Sequence, residues 1–317
     1  VRAGVPVVVH EALSFPRHRV CGEFIRGLDA AAVQTLQLAP LLETAGRADR
    51  ALWLARDRAI RSHAVRPAAF TVSRYELDAQ LAETFVRAGG VLRTNHRVAA
   101  LPAPGRVLAC GRAVARNSLW LGLKLHAHGF AARAPLEMHL GDHAYVGVCT
   151  LPDGRVNLCG MFRRRSELTA PRERLLLAYL GAAGLEELAA RLARATLDEE
   201  SCSAVAALPL RPRVTREGVR IGDAFAMMPP FTGNGMAFAF QSAALALGPL
   251  LAWARRETTW RETERAIHQG QHRRFRVRLQ LAGLLHPRLT SPCAQRWLVA
   301  ATDAGVVPFH LLQHALS

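Results

Sequence analysis

The stretch that most constrains this chain is Ile221-Gly-Asp-Ala-Phe-Ala-Met-Met-Pro-Pro-Phe-Thr-Gly-Asn-Gly-Met-Ala-Phe-Ala-Phe-Gln-Ser-Ala243. It reads as a short apolar strand, a turn dense in glycine and proline, and the start of an Ala-rich helix. A strand ending in Gly222-Asp223 puts a carboxylate at the carboxyl edge of a sheet, where it accepts hydrogen bonds from ligand hydroxyls. Gly233 and Gly235 remove side chains where the backbone must approach something closely, and the helix that follows turns its first amides toward the same spot. Pro230, Asn234 and Met236 belong to the same turn. An anionic or electron-rich ligand suits such a place.

Composition narrows the alternatives. A chain of 317 residues is one large or two ordinary domains, long enough for a proper core. Apolar runs such as Val5 to Val9 and Ala243 to Trp253 fall short of the roughly 20 residues of a bilayer span, so no transmembrane helix is expected. The first residues lack the order of a secretory signal. The formal charge of +16 raises nucleic acid as a partner. However, Lys124 is the only lysine, the arginines are scattered and aromatics for stacking are few, which fits GC-rich coding and argues against nucleic acid. The six cysteines, Cys21, Cys110, Cys149, Cys159, Cys202 and Cys293, show neither CxxC nor close His spacing. This disfavours a metal site or a disulfide framework and fits a reducing cytoplasm.

Val5 to Glu11 is a β-branched run ending in an acid, expected as a buried parallel strand with Glu11 at its tip. In dinucleotide-binding folds such an acid takes the ribose hydroxyls, about 20 residues after a Gly-rich turn. That turn would lie before Val1, so either the sequence starts after it or the first strand and phosphate loop have been lost. A helix is expected from Leu28 toward Leu42. Another, Leu77 to Ala88, stops at Gly89-Gly90 before a strand from Val91 to Val98. Runs at 120–126, 136–140, 144–149 and 155–161 alternate and are separated by turns such as Pro152-Asp153-Gly154, the pattern of an antiparallel sheet. A helix-rich segment, 170–197, follows.

Three of these segments together resemble a known family. Pro16-Arg17-His-Arg-Val-Cys21-Gly22-Glu23 is similar to the Pro-Arg-x-Lys-x-Cys-Gly-Glu signature of flavoproteins related to geranylgeranyl reductase and, more distantly, para-hydroxybenzoate hydroxylase. Arg74 to Leu81 resembles their Arg-x-x-Leu-Asp-x-x-Leu helix, and Ile221 to Ala239 resembles their Gly-Asp-Ala…Pro-x-x-Gly-x-Gly flavin motif. The resemblance spans about Val5 to Ala252. It implies an α/β protein in which a glutathione-reductase-like Rossmann FAD domain (1–117 and 208–252) is interleaved with an antiparallel-sheet substrate domain (118–207), followed by a helical segment (253–317). It implies FAD as cofactor, with NAD(P)H as electron donor, and oxidation or reduction of a hydrophobic small molecule by monooxygenation or alkene reduction. The competing reading is a remnant of the fold that has lost its cofactor.

By the same resemblance, Glu11 would hold ribose, Arg17 and Arg74 phosphate or flavin, and Gly222, Asp223, Pro230, Gly233, Asn234, Gly235 and Met236 the ribityl chain and ring. Cys21 has two readings, a packing residue or a thiol near the flavin with a pKa lowered by Arg17 and Arg19. Lys124 and His126 stand on a cavity strand, without an assigned acid or base role. Departures are equally clear: Cys110 replaces the Asp of the relatives' Ala-Asp-Gly-Arg, and the reductases' Tyr-x-Trp-x-Phe-Pro is matched only loosely by Tyr145 to Pro152. The basic stretch from Arg273 suits contact with anionic lipid or, more in keeping with amphipathic helices, packing over the substrate domain. Pro287, Pro292 and Pro308 are expected to break the tail into short helices.

Overall fold

A computed structural model describes residues 1–304, apart from 116 and 210, together with 306. Pro308 lies outside the described residues. The chain opens with β1 (Val8–His10) and β2 (Phe24–Ile25), then α1 (Ala30–Leu36) and α2 (Ala39–Glu43). Asp29 caps α1 by accepting from the Ala32 N–H at 2.7 Å, and Gln37 takes a left-handed conformation that splits the expected 28–42 helix in two. Two long strands follow, β3 (Gly46–Ala55) and β4 (Arg58–Thr71), and then α3 (Arg74–Arg87), capped by Ser73. Beyond it lie the short strands β5 (Val91–Arg93) and β6 (Val107–Leu108), so the expected 91–98 strand is only three residues long.

The expected antiparallel runs become β7 (Trp120–His128), β8 (Leu136–Gly141), β9 (Ala144–Thr150) and β10 (Val156–Arg163). Helices α4 (Leu175–Ala182) and α5 (Glu186–Ala193), strands β11 (Thr196–Val205) and β12 (Val219–Arg220), and helices α6 (Gly235–Ala254), α7 (Trp260–Leu289) and α8 (Pro292–Asp303) complete the described chain. Thr259 and Glu262 form a capping box at the start of α7. Pro287 sits inside the last turn of α7 rather than breaking it, and Pro292 opens α8 at the first turn, where its missing N–H costs nothing.

One eight-stranded mixed sheet, in the order β11-β7-β10-β9-β8-β3-β4-β2, dominates the molecule. It reaches back from the expected substrate segment into residues 24–71, and β3 joins β8 in parallel while the other neighbours run antiparallel. Both faces are covered, because successive side chains point to opposite sides. Val146, Val148, Leu125 and Leu158 pack with Leu180 and Leu188 of α4 and α5. On the other face, Tyr145 and Met161 meet Phe238 of α6 and Phe275 and Leu279 of α7. The Tyr145 hydroxyl and His286 Nε2, 2.9 Å apart, tie α7 to the sheet through a buried hydrogen bond. The basic helix from Arg273 therefore buries Phe275, Leu279 and Ala282 in the core.

The remaining parallel strands form two separate pairs, β1 with β5 and β6 with β12. Contrary to the expectation of a buried strand, Val7, Val8 and Val9 are 37%, 48% and 38% exposed. β1 has a partner on one side only. Helix α6, which contains the shorter apolar run Ala243 to Trp253, is as a whole long and apolar enough to cross a membrane by length and composition, contrary to the expectation of no such helix. Its buried face carries Gln241, which donates to Gly27 O at 2.8 Å, and Ser242, which accepts from the Gly222 N–H at 2.7 Å.

Candidate functional site

The strand–turn–helix stretch is assembled from β12 and α6. The Ile221 N–H donates to Leu108 O, extending the β12 ladder by one bond, and the chain then enters a 3-10 turn at Gly222–Ala224. Gly222 is left-handed (φ 57°), and a Cβ there would lie 3.2 Å from the Ala239 Cβ, so glycine is required for the turn to dock on α6. Burial raises the carboxyl of Asp223 from 3.8 to about 6, although Arg74, the Met228 N–H and Arg112 all favour its ionised form. A desolvated carboxyl at the tip of a strand is the sort of group a bound molecule would satisfy.

Some residues around it border open space and others pack against the fold. Gly233 (φ 67°) is glycine because the Phe24 ring packs on it: a Cβ there would overlap that ring. At Gly235, the first residue of α6, a Cβ would meet nothing within 4 Å, and the same holds at Gly111. Asn234 is the buried cap residue of α6, without a side-chain cap bond to the helix, so the first amides of a 20-residue helix face this opening. Pro230 begins the short 3-10 turn that delivers Gly233. Met236 is a core residue, packed in a cluster with Ile25, Leu38 and Leu77, and does not face the opening.

The two other motifs converge on the same place through a line of charge. Glu11, just past β1, receives Arg17 at 3.0 Å and Arg19 at 3.7 Å. Arg19 reaches Asp78 at 3.1 Å, and Asp78 holds Arg74 through contacts of 2.7 and 2.8 Å. Arg74 in turn acts on Asp223 and on Cys21. Burial pushes the Cys21 thiol up, not down, with Arg74 only partly offsetting it, so the reading as an activated thiol gives way to packing. Gly22 turns the loop past the Phe24 ring, 3.0 Å from where its Cβ would stand.

The residue whose role the sequence left unassigned is Glu23. It is fully buried and left-handed (φ 58°), a costly conformation for a side-chain-bearing residue, of order 1–3 kcal/mol, kept only where surroundings enforce it. Its carboxylate accepts from the Arg74 N–H at 3.0 Å and from His126 Nε2 at 2.5 Å, with Lys124 Nζ at 3.5 Å. Burial opposes its ionisation, yet His126 and Lys124 hold it below the ordinary carboxylate range. Lys124 Nζ lies 3.1 Å from His18 Nδ1, and the His18 ring stacks on Tyr75. Burial and the Lys124 charge lower His18 to about 4. Lys124 and His126 thus anchor the 15–23 loop to the sheet. Their alternation with the apolar residues of β7 was legible, but the acid that pairs them lies about a hundred residues away in sequence.

Beside the turn, Phe231 and Thr232 form one wall of a cavity of about 140 Å³ whose floor is Ala51, Trp53, Met138 and Val148 of the large sheet. Leu285, Leu289 and Leu298 close it from α7 and α8.

No protein-family model and no characterised protein matches the chain by sequence. Solved structures do match its fold. The p-nitrophenol 4-monooxygenase PnpA from Pseudomonas putida superposes with a TM-score of 0.72 at 12% identity over 99% of this chain and 91% of its own. HpxO from Klebsiella pneumoniae, solved with FAD and uric acid, gives 0.70 at 13% identity, covering 100% and 97%. PqsL from P. aeruginosa, solved with 2-aminobenzoylacetate, gives 0.68 at 17% identity, covering 96% and 94%. At these identities the likeness establishes a shared fold, that of FAD-dependent monooxygenases.

Proposed function

We propose that this chain is an FAD-dependent oxidoreductase of the monooxygenase type, acting on a small hydrophobic molecule with NAD(P)H as electron donor. The observation that carries the reading is the setting of Asp223: a carboxyl desolvated by burial at the end of β12, beside the start of α6 and the open positions Gly111 and Gly235. These residues fit the ribityl and ring end of a flavin. When bound, FAD supplies the redox chemistry, accepting electrons from the donor and activating oxygen. The protein's part is binding and exclusion. Asp223 would accept from ribityl hydroxyls, the α6 amides would favour electron-rich ring atoms, and Glu11 with Arg17 and Arg74 would hold the ribose and phosphate end. The apolar cavity beside Phe231 keeps water from the reacting centre.

Two other readings have specific support. The Pro16 to Glu23 motif favours alkene reduction, as in the reductases it resembles. The separation of the parallel strands into two pairs favours a fold that has lost its cofactor. Absorbance of the purified protein after reconstitution with FAD decides the last: a stoichiometric flavin spectrum supports the enzyme, and protein that stays colourless contradicts it. With flavin bound, substrate-stimulated NADPH oxidation that requires oxygen supports monooxygenation, whereas anaerobic turnover supports reduction.

A further inference from the structure

Phe231, one wall of the cavity beside the Asp223 turn, is held from behind by two buried polar residues on other elements. The chain reaches it through Pro229 and Pro230, whose rings fix the backbone. Thr232 then closes the turn, donating from Oγ1 to Pro229 O at 2.9 Å and accepting from the Asn234 N–H at 3.3 Å. The side-chain torsions of Phe231 are therefore the main freedom left at this wall. Its ring stacks on that of His286, with centroids 5.5 Å apart and 25° between the planes. His286 is fully buried in α7, next to Leu285 and Leu289, which line the cavity themselves. Its own ring is fixed by Tyr145 of β9, whose hydroxyl lies 2.9 Å from His286 Nε2 and whose ring meets it edge to face at 5.7 Å. The Phe231 backbone hydrogen-bonds the same Tyr145 oxygen.

Holding α7 to the sheet does not by itself require a polar pair, because two apolar side chains of the same shape would serve nearly as well. What the hydrogen bond adds is direction. It sets the plane of the His286 ring, and with it the plane on which Phe231 rests. We propose that Tyr145 and His286 are positioning residues that hold the Phe231 ring as the wall limiting the cavity to an occupant of one-ring size. A cavity of about 150 Å³ takes one benzene, and this one is about 140 Å³. Without that support the Phe231 ring turns to another rotamer, the wall recedes, and a fused two-ring body fits. The identity of the occupant as substrate rests on the flavoenzyme reading; the lock itself needs no flavin.

The test is headspace partitioning of benzene and naphthalene over the purified protein without added flavin. A two-ring body must displace packed walls, so the parent should bind benzene at least about tenfold more tightly than naphthalene. Tyr145→Phe, which removes only the hydroxyl, and His286→Leu should each erase that preference, and Phe231→Ala should reverse it. Folding of each variant is checked by near-ultraviolet circular dichroism. Leu158→Ala, which destabilises the opposite face of the sheet, should leave the preference intact and so separates positioning from general loosening. A parent that binds no benzene or takes both probes equally, a preference that survives either Tyr145→Phe or His286→Leu, or an equal change in Leu158→Ala would overturn the proposal. Failure of FAD to bind while the size preference behaves as described removes the flavin reading and leaves the lock; the reverse outcome sinks the lock alone.

Discussion

The eight-stranded sheet and the β1–β5 pair use the same residue types and reach opposite states. In β10, Leu158 is fully buried between neighbouring strands and the helices α4 and α5. In β1, Val8 is 48% exposed, and its strand has one partner and three ladder positions. The difference shows that β-branched sequence alone does not make a buried strand; cover on both faces and partners on both edges do. It also locates the two halves of the proposed chemistry. The cavity and Glu23 are held by the well-packed sheet, while Glu11 rides on the thinly supported pair.

Hydrogen exchange should separate the two regions by the largest margin. Backbone amides of β7, β9 and β10 should be protected about a thousandfold or more beyond those of β1 and β5, because the former open only with the whole fold. Equal protection would refute the contrast. Leu158→Ala should cost about 2–5 kcal/mol in urea unfolding, and Val8→Ala less than about 0.5 kcal/mol. Glu23→Gln leaves Lys124 and His126 buried without their anion and should cost about 3 kcal/mol. A loss near zero would mean that the 15–23 loop is held elsewhere.

The smallest effect concerns the turn that belongs to neither half. Asp223 is more easily protonated in the fold than unfolded, so its neutral form favours folding below about pH 4, and that advantage is lost as pH rises through about 6. The shift from 3.8 to about 6 corresponds to at most ~3 kcal/mol. Asp223→Asn should therefore be more stable than the parent at neutral pH, by about 1–3 kcal/mol, with the gap closing as pH falls through the window. A variant less stable than the parent at neutral pH would show that the ionised carboxylate is satisfied by the protein itself.

Much of this was legible in the residues, for identifiable reasons. Strands β7 to β10 announce themselves by alternation and by turns such as Pro152-Asp153-Gly154, and the stretch from Ile221 to Ala243 carries its own punctuation. Strands β3 and β4 were not legible, because Gly46-Arg-Ala-Asp-Arg-Ala and Arg58-Ala-Ile-Arg-Ser-His contain too little hydrophobic contrast to mark a face. Their place is set by pairing with each other and by β8. Gly233 looked like a ligand contact, although the object it approaches is Phe24, more than two hundred residues earlier. The cluster of Glu23 with Lys124 and His126 exists only once the loop is folded onto the sheet. No local spacing encodes it.

FAD bound as proposed would rest on the Asp223 turn and on the thinly held β1–β5 pair. Hydrogen exchange measured with and without saturating FAD reads out that contact. Added protection is expected only at residues 8–11, 91–93, 219–224 and the first turn of α6, with β7 to β10 unchanged, and it should be lost in Asp223→Ala. Protection that does not change on adding FAD, or that appears instead on the large sheet, would contradict that placement.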